Sequence, residues 1–389
     1  MSVAGLEGFE KSRLSVLLEH LGEIDDPREP WRVAHPLTEV LLLAVCGTIC
    51  DCDDYDLIAA WGERHLDFLR RYLPYDHGVP GGRWLTILMN RIDPGLFSAA
   101  FSAWVRETWP ERLDLVAIDG KTSRRSHDRS LGLSPLHLVS AFATTERLVL
   151  GQEAVADKSS ETTAIPLLLE RLGRNDGLKG AMVSIDAIAT NGAIAKAIGE
   201  QGADYLLAVK ANQPTLRAEV QACFAEAPAG ALDTFCDLDK GHGRIEQRTT
   251  SVVREIDWLG GERRFPGELR LPGVSAIVRI QSRTELKDRC RYDTRYFITS
   301  ANLDARRAAA VVRGHWAIEN SLHWTLDVVF KEDQSRLRKG HGAKNMAVVR
   351  HFAFNILRAA TDKRSIKSRR KIAGWDTSYL ANLLGPTPR

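Results

Sequence analysis

The sequence predicts an α/β fold: an RNase H-like mixed sheet core with a strand-rich insertion, preceded by a small helical domain. Three observations predict it. Apolar residues recur at helical spacing between residues 8 and 105 and take on strand spacing from about 113 onward. The strand-like stretch opens as a three-strand meander and continues as alternating helix and strand, the order of an RNase H-like core. Two of its short apolar runs, Leu113–Ile118 and Ala181–Ile185, each close on an aspartate, Asp119 and Asp186.

The helical region rests on Leu14, Leu17, Leu18 and Leu21, and on Leu37, Val40, Leu41 and Val45. Pro-Tyr-Asp-His-Gly-Val-Pro-Gly-Gly at 74–82 interrupts it, and Trp84–Met89 and Leu96–Trp104 resume it. Strand one is Leu113–Ile118, strand two Leu136–Ala143 and strand three Leu148–Ala154, with Glu146-Arg147 in a hairpin turn. Helix Ala164–Leu172, strand four Ala181–Ile185, helix Ala193–Ile198 and strand five Tyr205–Val209 follow. In such a core the first strand is central and the fourth lies beside it. Asp119 and Asp186 then become neighbours, although 67 positions separate them.

A third carboxylate is expected from a helix after strand five. Glu319 is the candidate, 133 positions beyond Asp186. No ordinary loop is that long, so an insertion with its own structure occupies about 211–300. Thr249–Ile256, Val274–Arg283 and Arg295–Thr299 are β-prone. Residues 304–326 then read as one helix, capped by Ser300 or Asn302, and a further helix at about 343–360 buries Met346, Val349, Ala353, Ile356 and Leu357. Lys363 to Lys371 is a charge run, expected to be mobile. The chain therefore divides into a helical domain (8–105), an α/β domain (110–360) and a basic tail (361–389).

The 389 residues are enough for about two domains with real cores. A hydrophobic content of 44% and a charged content of 26% are ordinary for a soluble globular protein. The net charge of +3 says little; its distribution says more. Residues 1–60 hold 12 acids and 4 bases, and residues 331–371 hold 13 bases and 3 acids. A basic carboxyl end suits a polyanion, of which nucleic acid is the commonest; the bland alternative is a solvated tail. The six cysteines show no paired zinc spacing and read as reduced thiols of a cytosolic protein. The start lacks the basic and apolar regions of a signal peptide. Val40 to Cys50, the longest apolar run, is too short to span a bilayer.

Three carboxylates that converge can bind a pair of divalent cations, and metal pairs of that kind cut and join phosphodiesters. Gly120 lets the chain turn after Asp119, and Lys121, Arg124 and Arg125 place positive charge beside it. Taken singly, an aspartate after a strand is more often a turn former or cap. His315, Glu319 and His323 lie on one helical face, flanked by Trp316 and Trp324. The imidazoles are expected to orient Glu319 or contact phosphate, and the indoles to pack or to stack on bases; a metal site made of that row alone is the minor alternative. Arg313, Lys331, Arg336 and Arg338 bracket the helix. Lys210-Ala211-Asn212-Gln213 and the glycine-rich turn Lys240-Gly241-His242-Gly243-Arg244 can each hold a phosphate. No P-loop, dinucleotide fingerprint, Gly-x-Ser-x-Gly or His-Glu-x-x-His is present.

With these residues in place the chain resembles the insertion-sequence transposases of the ISAs group. That group includes the H-repeat-associated proteins and belongs to the DDE superfamily. The resemblance runs over nearly the whole length. It is carried by Asp26-Pro27-Arg28, Ala117-Ile118-Asp119-Gly120-Lys121-Thr122, Leu136-His137-Leu138-Val139-Ser140-Ala141, Leu150-Gly151-Gln152 and Ala164-Ile165-Pro166. It continues through Asp204-Tyr205, Lys210-Ala211-Asn212-Gln213 and Gly241-His242-Gly243-Arg244-Ile245-Glu246. Its most specific part is Arg313-Gly314-His315-Trp316-Ala317-Ile318-Glu319-Asn320-Ser321-Leu322-His323-Trp324, then Leu326-Asp327-Val328 and Glu332-Asp333.

The resemblance implies that Asp119, Asp186 and Glu319 are a DDE triad holding two Mg2+ ions, for which Mn2+ can substitute. It implies a DNA transposase that cuts element ends and joins 3′-hydroxyls to target DNA. Its partners would be double-stranded DNA (terminal inverted repeats and target) and further copies of the chain, as a homodimer or higher oligomer, in the bacterial cytoplasm at the nucleoid and without a membrane. Lys121, Arg124, Lys210, Arg244, Arg313, His323, Trp324 and Arg336 are the expected DNA contacts, and residues 8–105 match a transposase-associated domain. Two other readings stay open: a nuclease or resolvase on the same core, and an inactive DNA-binding relic. This chain departs from the family after Asp186, where Ala187-Ile188-Ala189-Thr190-Asn191 stands for the usual Ala-Met-Gly-Cys-Gln, and over 74–86. His315 and Leu326 occupy the places of the superfamily's Arg before, and Lys after, the glutamate. Those two roles are not carried over.

Overall fold

In the computed structural model, the described residues are 12–385 apart from 111–113, 128–131, 133, 156–160, 187–189, 229, 231, 242, 243, 263, 266, 267 and 269. The first helices are α1 (Arg13–Gly22), α2 (Leu37–Ile49), α3 (Tyr55–Arg64), α4 (Leu66–Leu69), α5 (Gly82–Met89) and α6 (Pro94–Thr108). Then come β1 (Leu115–Thr122), β2 (His137–Ala143), β3 (Leu148–Val155), α7 (Glu161–Gly173), β4 (Met182–Ile185), α8 (Gly192–Glu200), β5 (Asp204–Val209) and α9 (Pro214–Glu226). Strands β6 (Asp233–Gly241), β7 (Arg244–Val253), β8 (Ala276–Glu285) and β9 (Cys290–Thr299) follow. The chain closes with α10 (Ala305–His315), a π-helical turn (Ile318–His323), α11 (Trp324–Val328), α12 (Gly342–Arg358), α13 (Ile366–Trp375) and α14 (Thr377–Leu384).

These elements form two units: Met1–Pro110 with Ser123–Leu136 and Trp324–Arg389, and Glu111–Thr122 with His137–His323. In the helical unit, α2 is buried along nearly its whole length and packs on α1, α3 and α12. Phe97, Phe101 and Trp104 of α6 stack around Phe352 of α12, at ring distances of 5.8, 4.9 and 5.0 Å. Asn345, fully buried on α12, donates its amide to the carbonyls of Met89 (2.7 Å) and Ile92 (3.0 Å), which a helix end leaves open.

The run Lys363–Lys371, expected as a mobile tail, corrects the sequence reading. Ser365 caps α13 by accepting from the Ser368 amide at 3.2 Å, and Arg369 and Arg370 point inward. Arg370 is wholly buried. Its guanidinium donates to the Thr48 carbonyl (3.0 and 3.1 Å) and to the Val329 carbonyl, pairs with Asp51 (3.0 Å) and Asp53 (3.1 Å), and lies over the Phe330 ring at 4.3 Å. Arginine's five fixed donors suit such a cage of acceptors. Among the described residues no helix is long and apolar enough to cross a membrane.

The second unit is built on one nine-stranded sheet of order β3-β2-β1-β4-β5-β9-β8-β7-β6. The strands β1, β2 and β3 form the antiparallel meander, and β4 and β5 run parallel to β1. That is the RNase H-like core read from the sequence. Leu113, given to strand one there, lies outside the described residues. The inserted segment joins this sheet instead of standing apart: β9 pairs antiparallel with β5 from Leu206↔Thr299 to Val209↔Tyr296. Two of its elements, α9 and β6, have no counterpart in the sequence reading. Strand β6 (Asp-Thr-Phe-Cys-Asp-Leu-Asp-Lys-Gly) carries three aspartates, which are poor strand formers, and its register against β7 holds it extended.

Helix α10 covers one face of the sheet. Val311 and Ala308 pack on Leu115, Met182, Leu206, Val252 and Val278 in one buried cluster. Asp304, not Ser300 or Asn302, caps it: its Oδ1 accepts from the Arg307 amide at 2.6 Å. The single helix expected over 304–326 is interrupted. The α-helix ends at His315 and residues 318–323 wind as a π-helix, a rare form concentrated at functional sites.

Candidate active site

Strands β1 and β4 deliver the first two carboxylates. Leu115, Val116, Ala117 and Ile118 are buried, as a parallel strand covered on both faces requires. The parallel register ends at Ile118↔Ile185, so Asp119 and Asp186 are the next residues on neighbouring strands. Asp119 does not terminate its strand. Strand β1 stays paired with β2 through Thr122, opposite Ser140 at Asp119 itself, which holds the aspartate more rigidly than a strand end would.

The glutamate arrives from the helix. A β-carbon at Gly314 would collide with Leu115 Cδ2, so glycine lets α10 lie this close to β1 without displacing that side chain. The π turn that follows carries Glu319 and His323 down onto Asp119. His323 Nδ1 lies 3.2 Å from Glu319 Oε2 and 3.7 Å from Asp119 Oδ2. Ligand atoms of Asp119, Glu319 and His323 all sit within 4.8 Å of one another. Asp186 is engaged by Lys210, whose Nζ is 2.6 and 2.8 Å from its two oxygens. All three carboxylates line one cavity of about 490 Å³, together with Lys210, Arg217 and Arg295.

The charges are unequal. Burial above all, with the neighbouring Glu319 carboxylate, pushes the Asp119 pKa up to about 7 against the pull of His323. The hydrogen bond from His323 holds Glu319 down at about 2. Glu319 is therefore ionised and only accepts, so Nδ1 of His323 carries the proton between them. Burial lowers the pKa of His315, which shares a 2.9 Å hydrogen bond with Ser184 Oγ.

The expected DNA contacts are divided between the two units. Lys121 is buried, two residues past Asp119 in the strand that continues there, and His323 is 5% exposed, enclosed by the two carboxylates. Lys210 lines the cavity. Arg313 is paired with Asp237 (2.7 Å) and Asp239 (3.7 Å), and Arg244 lies 3.9 Å from Glu246. Arg124, Trp324 and Arg336 belong to the other unit and are exposed; Arg124 is 3.2 Å from Asp333. His242, Gly243 and residues 187–189 lie outside the described residues.

One supporting group escaped the sequence reading of the site. Thr122 Oγ1 bonds His137 Nδ1 (2.7 Å), and His137 Nε2 bonds Glu161 Oε1 (2.6 Å), both partners being buried. They form the floor under Gly120. A β-carbon there would collide with Glu161 Oε1 and lie 2.7 Å from His137 Nε2. Gly120→Ala is expected to destabilise this unit by about 1–3 kcal/mol, as overpacking does, measured by chemical denaturation. The Leu136-His137-Leu138 motif was visible in the sequence, but nothing local tied it to Glu161.

Comparison with known proteins bears on the whole chain. A model of the transposase DDE domain matches residues 110–356, and one described as DDE_Tnp_1-associated matches residues 18–105. The "H repeat-associated putative transposase YhhI" of Escherichia coli (strain K12) is 36% identical over 377 residues, covering 95% of this chain and 98% of that one. The "Putative transposase YncI" of Escherichia coli O157:H7 is 34% identical over 384 residues, covering 95% and 94%. The cryo-EM structure of the piggyBac transposase synaptic complex with hairpin DNA aligns over 95% of this chain and 78% of that chain at 10% identity and a TM-score of 0.39, too slight a likeness to argue from.

Proposed function

Because the chain belongs to the transposase DDE-domain family, we propose that it is the DNA transposase of an insertion sequence, cutting element ends and joining the freed 3′-hydroxyls to target DNA. One observation carries the reading: three carboxylates far apart in sequence line a single cavity that also holds Lys210, Arg217 and Arg295. Acids alone would repel a phosphodiester; this mixture suits cations and phosphate together.

Asp119, Asp186 and Glu319 are the metal ligands in this reading, and the donor set fits: oxygens of Asp119 and Glu319 already face a common point. Divalent ions bound there would make water a nucleophile at neutral pH and take up charge on the leaving 3′ oxygen. The chain's own groups do the rest. Asp119 is held by its pairing with β2, one residue past the last pair with β4, so its carboxylate stays in place when charge develops. Lys210, half-exposed, occupies Asp186 until a phosphate competes for its ammonium, which then releases Asp186 to its ligand role. Arg217 and Arg295 line the same cavity and hold the DNA backbone. Double-stranded element ends and target DNA are the partners, and two ends held at once call for a dimer or larger assembly of the chain.

The test is an end-joining reaction. The purified protein, Mg2+, labelled DNA carrying the element's terminal repeats and a supercoiled target are expected to give cleaved ends and covalent end–target products. Cleaved ends without joining would make the protein a nuclease on the same core, and neither product would make it a non-catalytic DNA binder.

A further inference from the structure

We propose that His323 is a metal ligand, completing with Asp119 and Glu319 a mixed nitrogen–oxygen site that takes Mn2+ more tightly than Mg2+. The proposal rests on the reading of Asp119 and Glu319 as metal carboxylates and extends it by one residue. Its basis is placement. His323 Nδ1 lies 3.2 Å from Glu319 and 3.7 Å from Asp119, and all three ligand atoms fall within 4.8 Å of one another. That spacing is close to what three donors about 2.1 Å from one ion would have.

Two further observations point the same way. His323 is 5% exposed, so it is spent neither on solvent nor on DNA, and its Nε2 is buried with no hydrogen-bond partner. Its Nδ1 faces two carboxylates and its Nε2 makes no competing bond, so a cation bound between those carboxylates would displace the proton on Nδ1 and leave the ring's proton on Nε2. Moreover, Glu319 and His323 are brought to the same point by a π-helical turn, which gives up regular helix geometry locally.

The chemistry of the donors sets the preference. Carboxylate and water ligands suit Mg2+ and Mn2+ alike, whereas an imidazole nitrogen adds affinity for first-row transition ions, which starts at Mn2+ and rises to Cu2+. Asp186, whose oxygens are held by Lys210, is not one of the three. The trio therefore makes the first cation site, with two oxygens and one nitrogen.

The experiment reads the ion directly. The full chain is loaded with one equivalent of Mn2+, and its pulsed electron paramagnetic resonance is recorded with unlabelled and with 15N-histidine protein. Nitrogen coupling that changes with the label and vanishes in His323→Ala is the expected result. Calorimetric titration should show Mn2+ binding at least about tenfold tighter than Mg2+ in the wild type, and that gap closing in the variant. If His323→Ala does not fold, the label experiment is repeated in His315→Asn, and coupling that survives there supports His323. A spectrum with oxygen ligands only overturns the proposal, as does coupling that persists in folded His323→Ala. A protein that shows the coupling but neither cuts nor joins DNA keeps this site and removes the transposase reading. A protein that joins DNA with no imidazole on its Mn2+ loses this site alone.

Discussion

Asp119→Asn and Glu319→Gln should each abolish cleavage of element ends while leaving DNA binding intact. Both substitutions preserve shape and remove a negative donor. Loss of one preorganised group that stabilises developing charge costs about 10²–10³ in rate, and loss of a metal ligand should cost at least that. The two variants should differ in stability, which separates lost chemistry from lost folding. Asp119 is pushed up to about 7 by burial, so near neutral pH in the metal-free protein it is about half protonated and asparagine is a near match for its neutral form. Glu319 is ionised and accepts from His323 at 3.2 Å; glutamine weakens that bond, with a cost of about 1 kcal/mol once its half exposure is discounted. Thermal melts should therefore leave Asp119→Asn near the wild type and Glu319→Gln slightly below it. Gel assays on labelled ends, with a mobility-shift control, decide the point. Near wild-type cleavage by either variant would remove the assignment of the triad.

Arg370→Met should lower the stability of the helical unit by about 2–4 kcal/mol, mostly from backbone acceptors left without a donor, since Asp51 and Asp53 are partly exposed and Asp53 keeps Lys331. Methionine fills much of the volume and keeps contact with Phe330, so the loss reports the polar cage and not a void. It leaves the carbonyls of Thr48 and Val329 without their donor, and Asp51 and Asp53 without the guanidinium between them. Arg370→Lys should recover only part, because one ammonium cannot meet acceptors spread around a planar fork. Urea titration followed by circular dichroism gives the difference, and an unchanged midpoint for Arg370→Met would show that the cage contributes nothing.

The two aspartates are legible in the sequence because parallel strands buried on both faces read as nearly continuous apolar runs, broken here only by Asp114 and Ser184. The meander and its neighbours follow from the same patterning. The exact end of β1 does not: pairing with β2 carries the strand through Gly120 and Lys121, and cross-strand partners leave no local mark. The inward stripe of α13 is Ile366, Arg369, Arg370 and Ala373, so two of its four buried positions look like surface to any hydrophobic periodicity. The π turn is hidden for another reason. His315, Glu319 and His323 fit an ideal α-helix by spacing, and only the hydrogen bonds of the folded chain reveal the change of winding.

The unbroken run of strands from β3 to β6 decides how this protein can be re-engineered. Excising the segment between β5 and α10 to obtain a minimal catalytic core would strip β5 of the hydrogen-bonding partner it now has from Leu206 to Val209. A row of open amides and carbonyls on an apolar strand is a template for sticking to other chains. The late strands thus act as a seal: a trimmed enzyme would come out of the cell as aggregate, and a soluble chimaera must graft its new element in register onto that same edge.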